Sequence, residues 1–337
     1  LGTAGFASSM GGLTSLGLNR AWAADTSGYK AIICIFLKGG MDGADTIIPY
    51  DQTSYNQLQG LRSGLFGSYN AGSSASSRNR ANLLQLNPDN AASFGGRQFA
   101  MPPELAPLHT MFESGDLAVV GNVGPLIEPT TRTQLDAGSA ILPKRLFSHN
   151  DQQSTWQSSQ PEGSVTGWGG RMGDLALSSN RNSMFTAINA TGNAVFLSGE
   201  QAMPYQVSRN GAVLIGGINR RLYSSDAAST ALGSLLTTHH GHVLEADYAQ
   251  TTARSVEYGG FVTDALNSST LSTQFGSGSL DSQLAVVARL IGARGNLGVT
   301  RQVFMVSIGG FDHHDGLIGS HEEQKIVNLT LTENDIH

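Results

Sequence analysis

The sequence has few charged residues and almost no cysteine. Charged side chains make up 14% of its 337 residues, whereas soluble proteins average roughly 25%. The formal net charge is −6 and Lys and Arg form no basic run, so we predict no nucleic-acid partner. The single cysteine, Cys34, excludes an intramolecular disulfide. Its position inside the apolar run AIICIFL predicts a buried, unreactive thiol.

Long hydrophobic runs are also missing, so we predict no stable membrane span. Residues 1–24 form a weakly apolar segment diluted by Gly, Ser and Thr, and Ala21-Trp22-Ala23 within it resembles the cleavage site of an export signal. We expect a signal of the twin-arginine type whose basic region is missing, because the chain starts at Leu1. The alternative is an ordinary N-terminal arm. The export interpretation predicts a periplasmic or extracellular protein with one folded domain over residues 25–337.

The apolar pattern of that domain alternates between strands and helices. Ala31–Leu37 is a continuous apolar run, which suits a strand covered on both faces of a parallel sheet. Apolar residues at helical spacing over 105–112 precede a predicted strand at 116–124, and an amphipathic helix over 281–298 precedes a predicted strand at 300–310. This order of helices and strands predicts an α/β fold with a mostly parallel sheet.

Two of the predicted strands end in the same motif. FLKGGMDG and VSIGGFDH each consist of an apolar strand, Gly-Gly, one hydrophobic residue and an aspartate. In a parallel sheet, Asp42 and Asp312 would emerge at the same edge, where open α/β sheets place their binding sites. The glycines would allow sharp turns and the close approach of a ligand.

The second of these motifs continues into a pattern of metal-ligating residue types. Asp312, His314 and His321 form a D-x-H-x6-H pattern, and Zn²⁺ or Mn²⁺ is bound in proteins by such oxygen and imidazole ligands. Asp42 could complete the set. A bound divalent metal would polarise a phosphoryl or sulfuryl oxygen and activate a hydroxyl nucleophile. The alternative is a solvated, histidine-rich turn in which Asp312 caps the following segment.

A candidate nucleophile lies in the middle of the chain. Ser148 precedes a predicted helix, and the N-terminus of a helix stabilises an anionic group. Arg171, in GWGGR, could clamp an oxyanion through two hydrogen bonds. Each residue also has a structural interpretation: either Ser148 or Asn150 is a helix N-cap, and Arg171 is a member of an ion pair.

The order of these segments resembles an exported bacterial family catalogued as domain of unknown function 1501, in the alkaline-phosphatase-like superfamily. The resemblance extends from Ala31 to His321 and is most specific at the helix, strand and GGFDHHDG block near the C-terminus. It implies a three-layer α/β/α sandwich with a mostly parallel central sheet. It also implies a metal site at the carboxyl ends of the strands, like those of phosphatases and sulfatases.

The resemblance also implies roles for individual residues. Asp42 would be the metal ligand of the first strand, Ser148 would take the place of the nucleophile, and Asp312, His314 and His321 would form the later ligand block. Two features depart from the family pattern. His313 follows Asp312 where the motif usually has Thr, and the family's further Asp-His-Gly motif does not follow. We therefore expect the domain to be incomplete at its C-terminus.

These observations lead to two hypotheses about function. The first is an exported metal-dependent hydrolase or transferase acting on phosphate or sulfate esters, with a small-molecule ester as its partner. The second is a non-catalytic exported binding or structural protein on the same scaffold, which the missing Asp-His-Gly motif favours. A sugar-binding module is a weaker third idea that depends only on Trp156 and Trp168.

Overall fold

A five-stranded sheet organises the chain. The computed structural model describes residues 28–72, 77–192, 194–218, 221–238 and 241–314. The strands are β1 (Lys30–Leu37), β2 (Ile48–Pro49), β3 (Leu84–Gln85), β4 (Phe99–Met101), β5 (Ala187–Asn189), β6 (Tyr205–Ser208), β7 (Gly211–Ala212) and β8 (Arg301–Ile308). The large sheet has the order β1-β8-β5-β6-β7 and is parallel except for the final β6–β7 pair. The remaining strands form a small antiparallel sheet of order β2-β4-β3.

Eleven α-helices lie in the part of the chain that the structure describes. They are α1 (Gly43–Thr46), α2 (Gln52–Leu61), α3 (Ser63–Asn70), α4 (Ala106–Ser114), α5 (Arg132–Asp136), α6 (His149–Ser158), α7 (Trp168–Ala176), α8 (Asp226–Thr237), α9 (Val243–Ser268), α10 (Ser279–Gly292) and α11 (Arg294–Leu297). None of the helices in these described stretches is long and apolar enough to cross a membrane. The predicted mixed α/β fold with a mostly parallel sheet is confirmed.

Helices cover both faces of the large sheet. Alternate residues of β8 point to opposite faces, as the two-residue period of a strand requires. Phe304 and Val306 pack into a core with α9 and α10, whereas Val303 and Met305 pack on the other face with residues of α7 and the turn at 195–197. β8 is therefore buried on both sides, as its apolar sequence predicts.

Helix α10 forms where the sequence predicts an amphipathic helix. Leu284, Val287 and Ile291 share one face and are buried against the sheet, so hydrophobic burial holds the helix in place. The Asp281 carboxylate accepts a hydrogen bond from the backbone N–H of Gly278, which satisfies a donor at the start of the helix. This prediction is confirmed.

The strand predicted at 116–124 is not formed. None of these residues belongs to a strand, and Val119, Val120 and Val123 are exposed. An apolar run becomes a strand only where a neighbouring strand satisfies its backbone N–H and C=O groups. Among the described residues, no strand pairs with this segment.

Strand β1 lies at the edge of the large sheet among the described residues, with β8 as its neighbour. All eight of its residues are only partly buried. Ala31, Ile33 and Ile35 pack against the core with α9 and α10, and Cys34 and Phe36 pack on the opposite face beside α7. The prediction of a strand covered on both faces is therefore confirmed, with partial burial. Residues 1–27, which include the predicted export signal, lie outside the described residues.

Candidate functional site

The candidate site begins where β1 and β8 end side by side. The two strands are parallel neighbours, with Leu37 opposite Ile308. In the loop after β1, Gly39 has a φ of +128°, and a Cβ added there would lie 2.3 Å from the backbone nitrogen of Asp312. Only glycine fits at that position. The two Gly-Gly loops are thus in backbone contact at the carboxyl edge of the sheet.

Asp312 lies between two imidazoles at this edge. One of its oxygens, Oδ2, is 3.5 Å from Nε2 of His149, the first residue of α6, and the other, Oδ1, is 3.2 Å from Nε2 of His314. All three side chains are substantially exposed. The two imidazoles contact different oxygens of the one carboxylate, so Asp312 links the loop after β8 to the start of α6.

Asp42 is engaged by an arginine. Its carboxylate accepts hydrogen bonds from both terminal nitrogens of Arg62, at 2.5 Å and 3.2 Å, and one from the backbone N–H of Ala44 at the start of α1. The hydrogen bond to Asp42 raises the pKa of Arg62 above its ordinary value. A forked contact of this kind fixes the carboxylate in one orientation.

Ser148 is the N-cap of α6. Its hydroxyl donates to Oδ2 of Asp151 at 2.7 Å and accepts from the backbone N–H of Asp151 at 3.4 Å. The hydrogen bond from Ser148 is the main reason that the pKa of Asp151 lies below its ordinary value. The N-cap interpretation of Ser148 is confirmed. Its role as a nucleophile remains a prediction.

Of the other predicted site residues, one does not line the cleft and one lies outside the described residues. Arg171 is an exposed residue of α7 and does not line the cleft described below. His321 lies outside the described residues. The thiol of Cys34 packs against the core beside α7, and burial raises its pKa to about 11. Cys34 is therefore a neutral, unreactive thiol near neutral pH, as its sequence position predicts.

A cleft of about 610 Å³ opens beside Asp312. One wall is a face of α6, since residues at positions i, i+3, i+4 and i+7 of a helix share a side. The opposite wall is the end of β1 and its glycine loop. The lining residues are Phe36, Leu37, Gly39, Gly40, Met41, Phe147, His149, Gln152, Gln153, Trp156 and His314.

The donors beside the cleft have the right chemistry for a divalent metal. Two ligands of a tetrahedral ion bound at about 2.0–2.1 Å lie ~3.3 Å apart, which is close to both distances between Asp312 and its imidazole neighbours. The two imidazoles face different oxygens, however. No group of three or more His, Cys, Asp or Glu side chains in the described residues is arranged to hold a metal ion. Asp312 and one histidine fit as a pair of ligands, and a third ligand would be needed.

A family model described as "Protein of unknown function (DUF1501)" matches residues 29–330. The chain belongs to this family. No curated protein and no solved structure matches the chain. The DUF1501 match covers all the strands and helices in the described part of the chain and every lining residue of the cleft.

Sequence reasoning missed three residues of this DUF1501 site: His149, Gln152 and Arg62. His149 and Gln152 line the cleft with Trp156, and their spacing on a predicted helix would have placed all three on one side. Arg62 is the third missed residue. Its partner Asp42 is 20 positions away, and no periodic pattern in the sequence links the two residues.

Proposed function

We propose that this DUF1501 protein is an exported metal-dependent hydrolase or transferase of phosphate or sulfate esters, belonging to the alkaline-phosphatase-like superfamily. The observation that carries the proposal is the Asp312 carboxylate set between His149 and His314 at the mouth of a cleft. The position of the cleft, at the carboxyl ends of two parallel strands, supports it as well.

We assign metal binding mainly to residues that follow strand β8. Asp312 and His314 would hold the divalent ion, Zn²⁺ or Mn²⁺, with His321 as the further ligand. Asp42 would join them only after releasing Arg62. When bound, such an ion supplies Lewis-acid polarisation of the ester oxygen.

The remaining steps of the proposed reaction involve residues at the start of α6. The Oγ atom of Ser148 would attack phosphorus or sulfur while its proton passes to the Asp151 carboxylate 2.7 Å away. The ester P–O or S–O bond would break, and the leaving oxygen would take that proton and depart as the alcohol. Water, or an acceptor alcohol in a transferase, would then attack the group held on Ser148, break its bond to Oγ and return a proton to the serine. Backbone N–H groups in the first turn of α6 favour negative charge on the transferred group. Arg171 is the proposed second stabiliser, and since it is exposed and does not line the cleft, its side chain would have to turn toward the start of α6. Asp151 is a weak base because its pKa is lowered, so the attack depends on an activated hydroxyl.

A second candidate is a non-catalytic exported binding protein that uses the same cleft. Two specific observations favour it. The Asp42 carboxylate is already paired with the Arg62 guanidinium, and the Ser148 hydroxyl already caps helix α6. Under this alternative the cleft retains its ligand without turnover.

Metal content separates the two candidates. We expect equilibrium dialysis against Zn²⁺ or Mn²⁺, followed by elemental analysis, to give about one ion per chain. The double variant Asp312→Ala/His314→Ala should bind it ~100-fold more weakly or worse, because loss of outer-shell partners alone weakens binding 10–100-fold. The control is Asp264→Ala, which removes an exposed carboxylate of α9 that does not line the cleft.

Activity is measured on the metal-loaded protein with phosphate and sulfate esters. Ser148→Ala should abolish turnover while metal binding is unchanged. Full turnover by Ser148→Ala would contradict the role of Ser148. If the wild-type protein binds no metal and cleaves no ester, the hydrolase proposal is contradicted and the non-catalytic alternative is favoured.

A further inference from the structure

One polar group in the cleft lacks an acceptor. Gln152 lines the cleft, and its side-chain nitrogen is shielded from solvent with no hydrogen-bond partner among the described residues. A buried donor without an acceptor costs about 1–3 kcal/mol. Natural proteins keep such donors mainly where a ligand or an ordered water accepts their hydrogen bond. The amide of Gln152 therefore marks a place for a ligand oxygen.

The walls around this amide are mostly apolar. Phe36 and Leu37 come from the end of β1 and Met41 from the loop after it, and aromatic side chains from the α6 region stand at the rim. Trp156 is 45% exposed and Phe147 is 94% exposed. Phe147 also has a φ of +69°, a conformation that non-glycine residues seldom adopt and that concentrates at functional sites. Two large aromatic surfaces are thus held at the rim of a ligand-sized cleft.

The charges at the cleft are few. Neither Lys nor Arg lines it within the described residues, and its ionisable lining groups are His149 and His314 beside the Asp312 carboxylate. A ligand with several anionic groups would lack partners here. A ligand with one anionic group, whose oxygen accepts a hydrogen bond from Nε2 of Gln152, and with an apolar body against the walls matches this lining better.

We propose that the cleft binds esters of aromatic alcohols, with the aromatic ring between Trp156 and Met41 and an ester oxygen accepting from Nε2 of Gln152. A sugar ester fits less well. Its hydroxyls would face Phe36, Leu37 and Met41, which offer no hydrogen bonds, and stranding a hydroxyl against an apolar wall is unfavourable. The assignment of the ester rests on the proposed function, whereas binding of the apolar body does not require turnover.

Binding is tested by calorimetry on the whole chain with naphthalene-2-sulfonate, which carries an aromatic ring and one anionic group but cannot be hydrolysed. We expect one molecule per chain and binding at least ~10-fold tighter than that of methanesulfonate, equivalent to about 1.4 kcal/mol. Trp156→Ala and Gln152→Ala should each weaken binding several-fold. Asn150→Ala is the matched control, because Asn150 is an exposed residue of the same helix that does not line the cleft.

The outcomes distinguish this inference from the proposed function. Binding of naphthalene-2-sulfonate that depends on Trp156 and Gln152, without turnover of 2-naphthyl phosphate or sulfate, supports the aromatic site and contradicts the hydrolase. Turnover of methyl or sugar esters with no preference for naphthyl esters supports the hydrolase and overturns the aromatic site. Binding that both cleft variants leave unchanged also overturns it, because the probe then lies on another apolar surface. Melting curves of each variant confirm that it is folded.

Discussion

Gly39 is the residue on which the meeting of the two strand ends depends. Its left-handed backbone and its contact with the Asp312 nitrogen leave no room for a side chain. The nitrogen that Gly39 contacts and the carboxylate that faces His149 on α6 belong to the same residue, Asp312, so this contact helps to fix the position of the carboxylate. A change at Gly39 would therefore disturb stability and the site together.

We expect Gly39→Ala to lower the free energy of unfolding by ~2 kcal/mol or more, from backbone strain and the collision with Asp312. Gly60→Ala is the control, because Gly60 lies inside α2 and an added Cβ meets nothing within 4 Å. Alanine favours a helix, so the control should be neutral or gain up to about 1 kcal/mol. Urea unfolding monitored by circular dichroism measures both variants. Equal midpoints for Gly39→Ala and wild type would contradict the close contact.

Arg78 joins three parts of the N-terminal region through buried charge. It is 0% exposed and bonds the Asp45 carboxylate through two nitrogens, both at 3.0 Å. It also bonds Glu104 and lies over the ring of Tyr69. Burial alone would lower the pKa of Arg78, but the two carboxylates raise it overall. The guanidinium is therefore charged at any ordinary pH.

Arg78→Met should destabilise the protein by about 3–5 kcal/mol, because it leaves Asp45 buried without its counter-charge. Arg132→Met removes an arginine from an exposed pair with Asp136 on α5, and such a pair contributes at most ~0.5 kcal/mol. Thermal unfolding of both variants gives the comparison. If the two variants melt at the same temperature, the buried network does not stabilise the fold.

Helix α7 is held to the segment that follows β5 by glycines and one carboxylate. A Cβ on Gly167 or Gly170 would overlap the backbone of residues 195–199. Further along the helix, the Asp174 carboxylate accepts hydrogen bonds from three successive backbone N–H groups, those of residues 200, 201 and 202. Partial burial would raise the pKa of Asp174, but the three donors outweigh it and lower the pKa overall.

This lowered pKa gives a stability contribution with a defined pH range. It is present above the unfolded-state pKa of about 3.9 and is lost as pH falls through the lower folded-state pKa. We expect Asp174→Asn to lower the free energy of unfolding by about 1–3 kcal/mol at pH 7. The difference from wild type should shrink below pH ~4. Urea midpoints across this pH range provide the measurement, and a difference that grows in acid would contradict the assignment.

At the scale of the whole molecule, the sequence predicted those elements whose signal comes from residues close together in the chain. The amphipathic face of α10 and the apolar run of β8 each follow from residues close together in sequence, and both formed as predicted. The shared edge of the two Gly-Gly motifs followed from parallel topology alone. The strand expected at 116–124 failed because a strand needs a partner, and partners are set by tertiary structure.

The same limit applies to the candidate site. Asp312 and His314 are two positions apart, so their proximity is a local property. The approach of His149 and the capture of Asp42 by Arg62 depend on where α6 and α2 pack. A buried amide such as that of Gln152 has no sequence signature at all. Its environment exists only after the helix has met the end of β1.

The pairing of β1 with β8 has a consequence for the order of events during synthesis. Lys30 pairs with Arg301, so β1 finds this neighbour only after synthesis has reached the residues of β8. At about 5–20 residues per second, the apolar edge of β1 waits ~15–50 s without that neighbour. Such an edge invites association with other chains. During this interval, binding of a chaperone to the nascent chain would determine what fraction of the protein reaches its folded state.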